Sequence, residues 1–144
     1  MKLRYLLLII MDLIIIIFIV TLNSILKALS DTIKNNFSNS IFRNLDRWWW
    51  DPSISWKKSY IDDNPRNGKK AWYVNIFRVY MKFPYPNPFK DMWNISNTLQ
   101  ISLWLILPFI CSKLFVNQLL LYILLIILYI FVFNLFYNTI FKKK

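Results

Sequence analysis

Residues 5–22 read YLLLIIMDLIIIIFIVTL and residues 119–137 read LLLYILLIILYIFVFNLFY. At about 1.5 Å of rise per residue, each run is long enough to cross a hydrocarbon core about 30 Å thick. These two stretches decide the class of the chain: an all-α integral membrane protein. Between them lies a shorter apolar stretch, residues 99–111 (LQISLWLILPFIC). Extended over 98–116, with Lys113 reaching toward the surface, it makes a third crossing, and residues 112–118 (SKLFVNQ) a tight polar turn. Pro108 removes one helical hydrogen bond inside this segment. The rival for it is a re-entrant hairpin, and the rival for the first run is a signal peptide. Lys2, Arg4 and a small-residue site at Ala28-Leu29-Ser30 fit the latter, but its apolar core is normally about 7 to 15 residues.

Three regions follow: a first transmembrane helix over residues 1–30, an interfacial loop over 31–97, and a transmembrane hairpin with a basic tail over 98–144. The loop is basic and aromatic. In Asp31–Phe42, Ile33, Phe37 and Ile41 fall four residues apart, on one helical face. Asp51-Pro52 reads as an N-cap followed by proline at the first helical position, starting a short helix through Tyr60. Residues 62–70 (DDNPRNGKK) form a polar turn. Residues 71–83 (AWYVNIFRVYMKF) are expected as an interfacial amphipathic helix with Asn75, Arg78 and Lys82 on its polar face, a strand being the alternative. Prolines 84, 86 and 88 then impose an extended segment.

Composition removes most chemistries. A single glycine cannot build a phosphate-cradling loop, all seven acidic residues are aspartate, histidine is absent and Cys111 is the one cysteine. Within the chain that leaves no His/Cys metal site, disulfide or histidine-based triad. No cofactor and no catalytic residue is expected. Seven tryptophans among 18 Lys and Arg suit a headgroup-level belt, because indole is apolar in body and polar at its N–H. Trp48, Trp49, Trp50, Trp56, Trp72 and Trp93, with Lys57, Lys58, Lys69 and Lys70, are the candidate contacts to anionic headgroups or to other membrane subunits. Nucleic-acid binding would use the same residue types but on a soluble groove, so their position beside spans argues against it. No small-molecule substrate is inferred.

Inside the first run, Asp12 is out of place. An acid at mid-span costs at least about 2.5 to 3.5 kcal/mol on insertion scales, so it needs a partner. On a helical wheel Asp12, Asn23, Lys27 and Ser30 share a stripe that should face protein. Counting depth from the turn suggests Ser102 and Tyr129 as helix-fastening partners, and a proton or ion relay is the rival role.

The succession Asp31...Phe37-x-x-Ser40-Ile41-Phe42, Trp50-x-Pro52-x-x-Ser55-Trp56-Lys57 and Asp91-x-Trp93 resembles uncharacterised small membrane proteins of Bacteroidetes bacteria and their phages. The resemblance covers residues 31–96 and implies no activity. In that group Asn-Lys follows Ser-Trp-Lys and a histidine follows Asp-x-Trp. Here Lys58-Ser59 and Asn94 stand there, which removes a candidate acid–base or metal residue.

The function expected is therefore a non-catalytic integral membrane subunit or interaction protein of a larger complex, not an enzyme. The alternatives are a small oligomeric holin-like or channel-forming protein, and a mitochondrially encoded accessory subunit of a respiratory-type complex. With three crossings, the loop and C-tail share a side and hold 15 of the 18 basic residues; the N-tail and the turn hold three. By the positive-inside rule the N-terminus lies outside, with the loop and C-tail on the cytoplasmic or matrix side of a bacterial cytoplasmic or organellar inner membrane. Reporters inserted near Asn67 and fused after Lys144 should mark one compartment, opposite to a reporter at the N-terminus. Loop and tail reporters on opposite sides would rule out three crossings.

Overall fold

The computed structural model describes residues 2–60, 64–67, 72–76, 79–83, 91–111 and 118–142. The fold is mostly helical. Helix α1 runs over Lys2–Asn36, and residues 30 and 31 lie inside it without a break. The first apolar run and the start of the loop are thus one rod of 35 residues. No proline or glycine interrupts it, so nothing in its sequence stops the helix at the end of the apolar run. It gives way to tight 3-10 turns over Phe37–Asn39 and Ile41–Asn44. Short helices α2 (Arg47–Trp50) and α3 (Pro52–Ser55) follow, then a 3-10 turn over Trp56–Ser59. Asp51 caps α3 as its sequence implies: its side chain accepts from the Ser53 N–H, and Pro52 fills the first turn.

Residues 72–83 differ from the helix expected there. Trp72–Ile76 (β1) and Val79–Phe83 (β2) pair antiparallel, with Trp72 opposite Phe83 and Ile76 opposite Val79. Valines, isoleucine, tyrosines and tryptophan dominate both halves, types whose crowded Cβ or flat ring favours a pleated strand. That preference outweighs the partial helical periodicity of Asn75, Arg78 and Lys82. The extended segment expected over 84–89 and the turn over 112–117 lie outside the described residues. In the polar stretch 62–70, Pro65–Asn67 forms a 3-10 turn.

Helix α4 spans Met92–Cys111 and continues through Pro108; α5 spans Gln118–Leu135 and ends in a π-helical turn over Phe136–Ile140. Helix α1 is the shared partner of both. Its contacts with α4 run in opposite chain directions, Asn23 meeting Gln100, Ser30 meeting Asn97 and Lys34 meeting Trp93. Those with α5 run in the same direction, Ser24 to Tyr129 and Asn36 to Tyr137. So α1 and α5 are parallel and α4 is antiparallel to both. Two apolar clusters hold them. One joins Ile16, Ile19 and Val20 to Leu107, Cys111, Leu121 and Leu125; the other joins Ala28, Leu29 and Ile33 to Phe141, with Phe42, Trp50, Met92 and Trp93 against it.

Two helical segments, Leu6–Asn39 and Leu119–Ile140, are long and apolar enough to cross a membrane, and only 22% and 17% of their most apolar windows are buried. A core helix of a water-soluble protein would bury most of such a window. Here leucines, isoleucines and phenylalanines face outward while Asn23, Ser24, Ser30 and Ser96 are fully enclosed.

Ala28 is 0% exposed at a helix contact and Leu119 is 70% exposed. Ala28→Leu should therefore overfill the α1 seam and cost about 1 to 3 kcal/mol, lowering the thermal midpoint in detergent. Leu119→Ala should leave the midpoint close to that of the unaltered chain, because the side chain is mostly exposed.

Candidate functional site

Two features stand out: a polar girdle between the apolar clusters, and a knot of capped turns at the loop end. The girdle is built on α1. Ser24 Oγ donates to the carbonyl of Tyr129 at 2.6 Å, and Ser30 Oγ donates to Asn97 Oδ1 at 3.0 Å. Asn23 Nδ2 reaches the Gln100 carbonyl at 3.4 Å, and Gln100 Nε2 returns to the Asn23 carbonyl at 3.5 Å. Lys27 Nζ, on the same stripe, is 2.8 Å from Asp31 Oδ1 one turn on. Of the stripe read from the sequence, Asn23 and Ser30 lie on the face that meets α4, and Lys27 pairs with Asp31 within α1. Short hydroxyl and amide side chains allow close helix approach and satisfy one another where water is absent. Asn23 Oδ1, Thr32 Oγ1 and Ser96 Oγ are buried with no hydrogen-bond partner.

Asp12 lies away from this girdle. Because Ser24 is level with Tyr129, Asp12 stands twelve residues, about 18 Å, further toward the start of α1. It does not share a level with Ser102 or Tyr129, contrary to the depth count from the turn. That count assumed that the centre of an apolar run is the centre of the bundle, and the hydrogen-bond register shifts the run along the bundle. Ser102 is exposed and its Oγ donates to the Thr98 carbonyl of its own helix at 2.9 Å. Tyr129 fastens α5 to α1, but through its backbone carbonyl; its ring tilts against Trp104, with centroids 5.9 Å apart.

The knot gathers residues that stand far apart in the chain. Asp91 caps α4, Oδ1 accepting from Asn94 N at 2.9 Å, and Oδ2 accepts from the buried Ser55 hydroxyl of α3. Ser40, fully buried, donates to the Phe37 carbonyl at 2.8 Å. Its neighbour Ile41 N donates to the Phe141 carbonyl at 3.0 Å, within an antiparallel bridge between Ser40 and Lys142. Phe42 stacks on Trp50 at 5.3 Å, and Lys34 Nζ stands 5.6 Å over the Trp93 ring. Phe37, Ser40, Phe42, Trp50, Ser55, Asp91 and Trp93, widely spaced in sequence, all serve this one junction.

The aromatic candidates therefore divide. Trp48 and Trp56 are each 42% exposed, whereas Trp49 and Trp50 are half-buried and Trp50 packs into the second apolar cluster. Trp93 is half-buried under Lys34. Trp72 sits at the open end of the hairpin, paired with Phe83. Lys57 is half-buried, Lys58 lies in the Trp56–Ser59 turn, and Lys69 and Lys70 are outside the described residues. Among the described residues, no three His, Cys, Asp or Glu side chains converge as a metal site.

Asp51 joins α2 to α3. Arg47 donates to Asp51 Oδ2 through Nη2 at 2.9 Å and Nε at 3.2 Å, and both the N–H and hydroxyl of Ser53 donate to Oδ1. Burial pushes this carboxyl up, but the Ser53 and Arg47 hydrogen bonds and the Arg47 charge together outweigh it and hold Asp51 below its ordinary value of 3.8.

No family model, no curated protein and no solved structure matches the chain.

A carboxyl whose folded value is depressed stabilises the fold above its ordinary value, and that contribution disappears as pH falls through the lower folded value. The stability advantage of the unaltered chain over Asp51→Asn should thus hold from pH 7 to about pH 5 and shrink below pH 3.8. Paired thermal melts across that range in one detergent check it; an advantage that grows toward low pH would contradict the arrangement.

Proposed function

We propose that this chain is a non-catalytic integral membrane subunit that works by assembling with other membrane proteins. The observation that carries the reading is the inverted distribution of side chains: hydroxyls and amides inside, large apolar groups outside along α1, α4 and α5. Lipid or a partner's apolar helices can cover such a surface, and water cannot without a large cost. In this reading α4 crosses alongside α1 and α5, because it is antiparallel to both and exposes Ile101, Leu105 and Ile106. Its opposite direction returns the chain so that the loop and the C-tail share a side, taken as the cytoplasmic or matrix one from the distribution of Lys and Arg.

The non-catalytic part of the proposal rests on how the carboxylates are used. Asp31 is engaged by Lys27, Asp51 by Arg47 and Ser53, and Asp91 by Ser55 and Asn94. The Ser55–Asp91 pair is enclosed, so no substrate reaches that hydroxyl. Asp12, the acid inside the first apolar run, stands apart from the girdle, which disfavours a relay of titratable groups through the bundle.

Partner contact then falls to the exposed aromatics. Replacing Trp48 and Trp56 together by Ala should release the protein from its co-purifying subunits in mild detergent, with its melting midpoint little changed. Trp50→Ala should instead lower the midpoint by removing the stack on Phe42. Isolation of the unaltered chain without any stoichiometric partner, together with voltage-dependent currents from the pure protein in bilayers, would replace the subunit reading with a pore.

A further inference from the structure

The Ser40–Lys142 bridge brings the end of the last helix against the turn that follows the first. Ile41 N to Phe141 O at 3.0 Å fixes that junction, and Arg43 N donates back to the Ser40 carbonyl at 3.3 Å, one 3-10 turn on. Arg43 thus stands one 3-10 turn past Ser40, the residue bridged to Lys142, although Arg43 and Lys142 are 99 residues apart in the chain. Both are exposed, and neither is in an ion pair among the described residues. The nearby charges on the same segment are already used. Arg47 is held by Asp51, and Asp46 accepts from the Trp48 N–H at 3.0 Å as the cap of α2. Ile41, whose N–H bonds Phe141 beside Lys142, is 50% exposed.

The position of this patch along the bundle follows from α5. The apolar segment Leu119–Ile140 is 22 residues, about 33 Å, which matches a hydrocarbon core of about 30 Å. Lys142 follows two residues later, at the boundary where hydrocarbon gives way to headgroups. Two exposed cations in no ion pair among the described residues, with the exposed Ile41 on the same junction, complement a phosphodiester and the acyl carbons next to it.

We propose that Arg43 and Lys142 form a binding site for the phosphate of an anionic phospholipid, with the exposed Ile41, joined to Phe141 beside Lys142, at the acyl-chain boundary. The proposal rests on the reading that α5 crosses the membrane, and it names a lipid partner at a place other than the tryptophans assigned to subunit contact. Arg43 supplies a planar fork for two phosphate oxygens and Lys142 a point charge on a flexible stem. The bridge between Ser40 and Lys142 holds them together without using either side chain. Occupancy by lipid would in turn clamp the end of α5 to the start of the loop.

The test uses the full-length protein in phosphatidylcholine vesicles containing phosphatidylglycerol, extracted in mild detergent and analysed by native mass spectrometry for retained lipid. The unaltered chain should retain phosphatidylglycerol over phosphatidylcholine by roughly 10- to 30-fold, as expected for two cations at an anionic surface. Arg43→Gln with Lys142→Gln should abolish most of that preference, while the charge-preserving pair Arg43→Lys with Lys142→Arg should keep it. Equal retention of the two lipids by the unaltered chain, or an undiminished preference in the Gln pair, would overturn the site. Loss of preference in both the Gln and the charge-preserving pairs would also overturn it, as a fold defect. Partner co-purification separates this proposal from the assembly reading: the Gln pair should lose lipid preference yet keep its subunits, and loss of subunits without any lipid preference would assign the patch to protein. Extraction of the unaltered chain by alkaline carbonate would remove the membrane reading itself, and the lipid site with it.

Discussion

The hydrogen bond from Ser24 to the Tyr129 carbonyl and its companions along α1 set the relative heights of the three long helices, and most of the structure follows from those heights. Apolar side chains alone would not fix them. Leucines and isoleucines around α1, α4 and α5 pack almost equally well after a slide of one turn, and lipid is as good a neighbour as another leucine. A hydroxyl or amide is not so tolerant, since a slide of one turn leaves both its donor and its partner unmet in an apolar medium. The girdle therefore selects a register and the apolar clusters above and below it fill in around that choice. Its short side chains at Ser24, Ala28 and Ser30 also let α1 carry a neighbour on two sides.

The loop-end junction depends on that same register. Only when α1 and α5 run parallel at the observed height does Phe141 come beside Ile41 and allow the Ser40–Lys142 bridge. Once the ends of α1 and α5 are joined, Phe42 and Trp50 have a floor to stack on, and α3 is brought where Ser55 can reach the cap of α4 at Asp91. Asp51 and Asp91 are then each engaged twice over, by a backbone N–H at a helix start and by neighbouring side chains. Such sites are fastenings, and at Asp51 the donors hold the carboxyl below its ordinary value.

Much of this was legible in residues whose signal is local. The Asp51-Pro52 start needs only three adjacent residues, and the stripe of Asn23, Lys27 and Ser30 needs only helical spacing, so both are recoverable from the chain. The hairpin over 72–83 was not, because in so short a run aromatic and β-branched residues satisfy a helical face and a strand about equally until the cross-strand pairing is known. Nor could spacing separate Trp50 from Trp48. Both lie in one triplet, and only contact with Phe42, eight residues earlier, turns one inward and leaves the other exposed. The partners of the girdle on α4, Asn97 and Gln100, carry no periodic signal of their own, since their meaning depends on which residues of α1 stand opposite.

The register also changes the meaning of Asp12. With Ser24 level with Tyr129, Leu119 falls opposite about residue 14, so the apolar run of α1 begins nine residues, about 14 Å, before that of α5. Taken together, the two runs cover about 42 Å along the bundle axis, longer than a hydrocarbon core of about 30 Å. Tilting shortens the span, but observed tilts reach only about 40°, and that range does not quite absorb the excess. The overhang is the end of α1 that carries Asp12, level with the first turn of α5 and the close of α4 at Cys111. In the membrane reading proposed above, an acid that the bare sequence places at mid-membrane, at its greatest cost, is carried by the helix register toward the far headgroup layer. There a carboxylate costs least, and it needs no partner in the bundle to be tolerated.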